Sequence, residues 1–262
     1  MTKITSKTIL FITGAFVSND CWREWQLFFE KKGYQTFAPA WPYKNETADV
    51  LRRQAPESDI AKQRLADLTA YFADFALALP EKPIMIGHSM GGLITQLLIQ
   101  RNLAVAGIAI HSLQPKDVLT FKFSFYKAGW GPLGFFTSVK KSFLMSFRQW
   151  QYAFTNGMSF DEQKEAYYRL LTPESKLLVR DAITDAAKVD FTAPHVPLLF
   201  IAGSCDRFIP ASLNHTNYSK YKDKDSRKSF KIFEGRNHYV LGQPGWEEVA
   251  GYTNNWLEEL SY

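Results

Sequence analysis

Ser89 stands in the run Gly87-His88-Ser89-Met90-Gly91, and a serine flanked by glycines two residues away on each side is either a plain tight turn or a candidate nucleophile. A serine hydroxyl is a weak nucleophile until a base takes its proton, and that base needs a carboxylate to orient it. Two later residues offer this chemistry. Asp206 lies in Gly203-Ser204-Cys205-Asp206-Arg207, and His238 lies in Glu234-Gly235-Arg236-Asn237-His238-Tyr239. The order along the chain is therefore Ser, Asp, His. Asp185, Asp190 and Glu234 are rival carboxylates, and four other histidines compete for the role of base. His88 is pinned inside the turn, His111 ends a strand-like run, His195 precedes one, and His215 lies in a polar helix-like stretch, so each of the four reads as structural. Cys205 has no histidine of its own and reads as a small buried filler. Arg207 and Asn237 flank the acid and the base and read as supporting or surface residues.

The surroundings of Ser89 favour the nucleophile over the plain turn. Lys82-Pro83-Ile84-Met85-Ile86 has strand character, and the residues from Gly92 to Gln100 read as a buried helix. A turn that sharp holds the serine in strained dihedrals and brings neighbouring backbone close, which leaves no room for side chains at Gly87 or Gly91. Further apolar runs recur at 8–12, 35–38, 84–86, 105–110, 198–202 and 230–233. Runs that are continuous rather than alternating suit strands buried on both faces of a mainly parallel sheet. Between them, Ile60, Leu65, Leu68, Phe72, Phe75 and Leu79 predict one helix ending before Pro80, and Trp22, Trp25, Leu27, Phe28 and Phe29 predict another, closed by Lys31-Lys32-Gly33. Strand and helix in alternation make a doubly wound α/β fold.

That rhythm stops at about residue 113 and resumes at about residue 194. The interval has no strong strand and carries an aromatic-rich stretch followed by helical patterns at 161–171 and 173–187. It reads as a helical cap, residues 113–190, inserted into a core made of residues 1–112 and 191–262 and lying over the strand ends where ligands of open α/β sheets bind. Residues 121–160 hold nine Phe, two Tyr and two Trp among Lys122, Lys127, Lys140, Lys141 and Arg148, without one acidic residue. Most of these aromatics are expected to pack the cap onto the core. The remainder would face a cavity over Ser89, which implies an apolar pocket wall and a substrate with a hydrophobic acyl or aryl part. The same basic aromatic stretch suits weak contact with a membrane surface or lipid.

This one segment carries the whole net charge of +5, and no nucleic-acid-binding motif accompanies it, so nucleic acid is not an expected partner. Cys21 and Cys205 do not make a disulfide framework, and reduced thiols in the cytoplasm are expected. Lys3 and Lys7 before Ile9-Leu10-Phe11-Ile12 look like the start of a signal peptide, but the apolar run is short and reaches Thr13-Gly14 without a cleavage site; it reads as the first core strand. No stretch approaches the roughly 20 apolar residues of a spanning helix.

The turn at Ser89 together with the order Ser, Asp, His resembles the α/β-hydrolases. The resemblance covers nearly the whole chain: residues 8–22 are similar to the family's first strand and loop, and residues 197–210 to its acid-bearing strand and turn. It implies an α/β-hydrolase fold with Ser89 as nucleophile, His238 as base and then acid, and Asp206 fixing the imidazole. The oxyanion hole would be the backbone N–H groups of Ala15 and Met90, with no metal or organic cofactor. Met90 also earns this role from physics, because it opens a helix whose free N–H groups favour negative charge. Thr13-Gly14 stands where many members have His-Gly, which alters hydrogen bonding in that loop. The implied activity is that of a carboxylesterase or lipase-like enzyme working through an acyl-enzyme on a small-molecule ester. Lyase, thioesterase and carbon–carbon hydrolase chemistry, or a slow-turnover ligand receptor, use the same residues. A serine nucleophile in place of aspartate argues against the epoxide-hydrolase and haloalkane-dehalogenase branches.

Overall fold

Every residue of β1 (Thr8–Ile12) is buried, as the unbroken apolar run requires. The computed structural model describes residues 4–260; residues 1–3 and 261–262, which fall within the expected core boundaries and include Lys3, lie outside the described residues. After β1 come α1 (Arg23–Glu30), β2 (Gln35–Phe37), α2 (Ala48–Gln54), α3 (Leu65–Ala78), β3 (Ile84–His88), α4 (Met90–Ile99) and β4 (Ala106–Ile110). Four helices follow before the sheet resumes: α5 (Phe123–Leu133), α6 (Phe147–Ala153), α7 (Phe160–Leu170) and α8 (Lys176–Asp181). The chain ends with β5 (Leu198–Gly203), α9 (Ala211–Lys220), β6 (Lys228–Phe233) and α10 (Trp246–Glu259).

The six strands form one sheet in the order β2-β1-β3-β4-β5-β6, and each neighbouring pair is parallel. The four inner strands are buried throughout, whereas β2 and β6 at the edges are partly exposed. Because all strands run the same way, the loops that follow β1, β3, β4, β5 and β6 gather on one edge of the sheet. Those loops carry Ala15, Ser89, Gln114, Asp206 and His238.

Tertiary contacts redraw two of the expected helices. The helix expected from residue 60 starts only at Leu65, because Arg64 is extended (φ −120°, ψ 154°). Asp181 accepts a hydrogen bond from the Leu65 N–H at 3.0 Å and two from the Arg64 guanidinium at 2.7 and 2.6 Å. A carboxylate from far along the chain thus caps α3. The helix expected over 173–187 reduces to α8, capped by Ser175, followed by a single 3-10 turn at Asp185–Ala187. The helix at α7 agrees with its expected span and has a reciprocal cap between Ser159 and Glu162. The aromatic stretch before it folds into α5 and α6. Seven of its thirteen aromatics (Phe121, Phe123, Tyr126, Trp130, Phe135, Phe136 and Phe160) are exposed, against the expectation that most would pack inward.

Candidate active site

The strand-to-helix turn puts Ser89 at φ 55° and ψ −118°, a region that non-glycine residues rarely occupy. Close packing enforces it. A β-carbon at Gly91 would overlap the Ile12 carbonyl, and one at Gly87 would overlap the Gly91 carbonyl. Gly92 matters too, since a β-carbon there would approach the Ser112 side chain to 2.8 Å. The Ser89 carbonyl accepts from the Leu113 N–H at 2.9 Å, which ties the loop after β4 to the turn.

Asp206 and His238 meet Ser89 at this edge. His238 Nε2 lies 3.1 Å from Ser89 Oγ, and His238 Nδ1 lies 2.7 Å from Asp206 Oδ2. The carboxylate fixes the proton on Nδ1, which leaves Nε2 free to accept the serine proton. All three side chains are buried. Asp206 Oδ1 accepts the N–H groups of Phe208 and Ile209, each at 2.8 Å. Burial pushes the Asp206 carboxyl up, but His238 and His111 outweigh it and hold the group well below the usual carboxylate range. The His238 ring is fixed from the side by Phe154, edge to face at 4.8 Å, and by Phe208 at 5.1 Å.

The rival groups lie elsewhere. Asp185 pairs with Lys116, Asp190 turns back on Thr192, and Glu234 is exposed. His195 bonds to the Val196 carbonyl and His215 packs on Phe230. Cys205 corrects an expectation, since it is exposed rather than buried: in this turn Asp206 points inward and its neighbour outward. Cys21 is the buried thiol. Asn237 is wholly buried, donating to the Asn156 carbonyl and accepting from the Tyr239 N–H, so it shapes the loop that carries His238.

His88 and His111 touch the site more closely than the sequence indicates. His88 Nε2 lies 2.8 Å from the His238 carbonyl and donates to it. His111 Nδ1 comes within 2.8 Å of Asp206 Oδ2 but is not aligned to hydrogen-bond it. Burial, then the neighbouring histidines, pushes His88 well below the ordinary imidazole value; burial likewise lowers His111, with Asp206 opposing. Among the described residues, His88, His111 and His238 are the one group with metal-ligating atoms clustered within 4.8 Å. Both His238 nitrogens are engaged by Asp206 and Ser89, so a cation there would have to break that line.

The loop after β1 is held by a pair that the sequence does not reveal. Phe16 sits at φ 70°, a strained value for a residue with a side chain. Its N–H donates to Glu174 Oε2 at 3.0 Å, and its carbonyl accepts the Thr172 N–H at 2.9 Å. Glu174 Oε2 also takes Lys44 Nζ at 2.7 Å, and the two side chains are 0% and 3% exposed. The side-chain hydrogen bond to the backbone of this loop therefore comes from Glu174, while Thr13 is buried. In sequence, Glu174 looks like an acidic first-turn residue of a helix and Lys44 like a loop lysine. With Phe16 so held, no acceptor for the Ala15 N–H is found among the described residues, and the same is true of the Met90 N–H at the start of α4.

Ala15, Met90 and Ser89 line one cavity of about 380 Å³, walled by Phe125, Trp130, Leu133, Phe135, Val179, Ile183 and Phe208. A larger hollow of about 620 Å³ between Ile99, His195 and Arg227 contains none of Ser89, Asp206 and His238. The smaller one can hold a carbonyl against Ser89 with two N–H groups beside it.

The alpha/beta hydrolase family model matches residues 9–250. The chain belongs to that family. No curated protein matches this hydrolase in sequence. Among solved structures it is similar to a monoacylglycerol lipase from Paleococcus ferrophilus (19% identity, 99% of this chain and 97% of that one, TM-score 0.69). It is also similar to a methylesterase from Arabidopsis (15% identity, 96% and 98%, TM-score 0.66) and to tomato methylketone synthase I (15% identity, 98% and 100%, TM-score 0.70). At these identities the likeness is one of fold. No helix of the hydrolase, among the described residues, is long and apolar enough to cross a membrane.

Proposed function

We propose that this hydrolase cleaves carboxylic esters whose acyl or aryl part is hydrophobic. The observation that carries this reading is the line Asp206–His238–Ser89, at 2.7 and 3.1 Å, opening onto an apolar cavity. Ser89 Oγ attacks the ester carbonyl as His238 Nε2 takes its proton, and Asp206 stabilises the imidazolium. The N–H groups of Ala15 and Met90 receive the oxyanion. His238 returns the proton to the departing alkoxide, then deprotonates a water that attacks the acyl-enzyme, and Ser89 is restored as the acid leaves. Two of the similar structures are described as a lipase and a methylesterase, which agrees with ester chemistry. Residues 113–190 act as a lid over a core of residues 1–112 and 191–262, since eleven of the seventeen residues that line the cavity belong to that segment. Two free thiols suit a reducing compartment such as the cytoplasm.

The lid also suits an anionic lipid surface. Phe123, Tyr126 and Trp130 recur at i, i+3 and i+7 on α5, one exposed stripe, with Phe121 at 96% and Phe136 at 89% exposure nearby. The charges on this stretch are Lys122 and Lys127, and residues 121–160 contain no acid. A second copy would oppose lysine to lysine, whereas an anionic surface accommodates both charge and rings.

The test is a fluorophosphonate probe with a p-nitrophenyl ester series. Wild type is expected to label and Ser89→Ala not to, with kcat/KM rising from acetyl to longer acyl chains. A steady fall from acetyl onward would refute the hydrophobic acyl preference. Labelling without turnover of any ester would refute the esterase reading.

A further inference from the structure

The wall of the cavity over Ser89 is almost wholly apolar, and Gln114 interrupts it. Gln114 is 7% exposed, and its Oε1 has no hydrogen-bond partner among the described residues. The other side chains of the wall with polar atoms are accounted for: Ser89 is bonded to His238, the Tyr126 hydroxyl donates to the Thr120 carbonyl at 2.7 Å, and Trp130 reaches solvent. Nor can the Gln114 backbone drift away. Leu113, one residue before it, donates its N–H to the Ser89 carbonyl, Ser112 before that donates to Asn214 Oδ1 at 2.9 Å, and Pro115 follows. The backbone that carries the carboxamide is therefore held at the wall of the cavity that Ser89 also lines.

A buried amide without a partner destabilises the free protein, and it gains that partner when a ligand brings one. Taking Ser89 as the nucleophile, we propose that Gln114 is the polar recognition element of this cavity and that it hydrogen-bonds a hydroxyl carried by the substrate close to its scissile carbonyl. A hydroxyl both donates and accepts, so it matches either face of the carboxamide. The substrate class is then an apolar ester with one hydroxyl near the ester group, preferred over the corresponding plain alkyl ester. A pocket built to bond a hydroxyl discriminates strongly against the analogue lacking it, because its own polar group stays unpaired.

Matched pairs test this: p-nitrophenyl 3-hydroxyoctanoate against the octanoate, and 1-monooctanoylglycerol against propyl octanoate. We expect kcat/KM of wild type to favour the hydroxylated member of at least one pair by about tenfold. Gln114→Met and Gln114→Leu should bring that ratio to within about twofold. The same pairs titrated onto Ser89→Ala, read by tryptophan fluorescence, should show the same preference as a Kd ratio, lost when Gln114→Met is added. Because the amide has no partner to lose, the melting temperature of Gln114→Met should equal or exceed that of wild type. The proposal is overturned if no pair is discriminated, if both variants keep the discrimination, or if both variants melt lower than wild type. Tighter binding of the hydroxylated member to Ser89→Ala without turnover of any ester by wild type would support Gln114 while removing the esterase reading.

Discussion

Glu174→Gln tests whether the loop after β1 is held in its working shape by a buried charge. The carboxylate accepts Phe16 N–H and Lys44 Nζ on Oε2 and the Ser175 N–H on Oε1 at 2.9 Å. A carboxamide has one acceptor oxygen. If that oxygen faces Phe16 and Lys44, the new NH2 opposes the Ser175 N–H; in the other orientation it opposes an N–H and an ammonium. Either way a donor meets a donor in a dry site, and Lys44, whose pKa burial already lowers, loses the charge that sustains its own. Removing one partner of a buried ion pair costs about 3–5 kcal/mol, so the urea midpoint should fall by that amount divided by the m-value. Phe16, at φ 70°, would relax once its N–H is released, and the adjoining Ala15 N–H would move with it. Loss of an oxyanion donor lowers kcat by about 10²–10³-fold, and a donor that is merely displaced should give a loss of about tenfold or more. Glu174→Leu combined with Lys44→Met removes both charges, and it should recover most of the stability but not the rate, because Phe16 still lacks its acceptor. Ester turnover and denaturation together decide the matter. A Glu174→Gln protein destabilised by under 1 kcal/mol would refute the electrostatic argument; one that is destabilised yet keeps its kcat would show that the pair does not position Ala15.

The remaining two predictions concern acid stability and the lid. His88 and His111 have folded-state pKa values below the ordinary 6.5, so unfolding takes up protons between those lowered values and 6.5. Stability is then complete above pH 6.5 and falls below it, by about 1.4 kcal/mol per pH unit for each histidine. Asp206, also depressed, adds its own loss only as the pH drops below its ordinary 3.8. Urea midpoints from pH 7 to pH 4.5 should fall toward acid, and His111→Leu should make that fall shallower; a flat wild-type profile would contradict the burial of these imidazoles. Sedimentation with vesicles should recover more hydrolase on phosphatidylserine-containing than on phosphatidylcholine membranes. The joint change Phe121→Ser and Phe136→Ser should weaken that binding by about tenfold or more, and equal binding by the variant would refute the role of the stripe.

What the sequence reveals of this hydrolase and what it conceals follow from the range of the forces involved. The strands are legible because burial on both faces forces continuous apolar runs, and the turn at Ser89 because backbone crowding admits only glycine at positions 87 and 91. The three side chains that meet there are legible because each follows its own strand, so one parallel sheet brings them to a common edge. The break before α3 is not, since the capping carboxylate belongs to α8 and no local pattern anticipates it. The Lys44–Glu174 pair is hidden for the same reason: charge normally signals a solvated surface, and only the fold shows that these two charges share a dry site. The aromatics of residues 121–160 mislead in the opposite sense. Phe121 and Trp150 have similar surroundings in sequence, yet one is almost fully exposed and the other fully buried. Hydrophobicity shows that a ring disfavours water, but it cannot tell whether the ring is covered by this chain or by something that this chain binds.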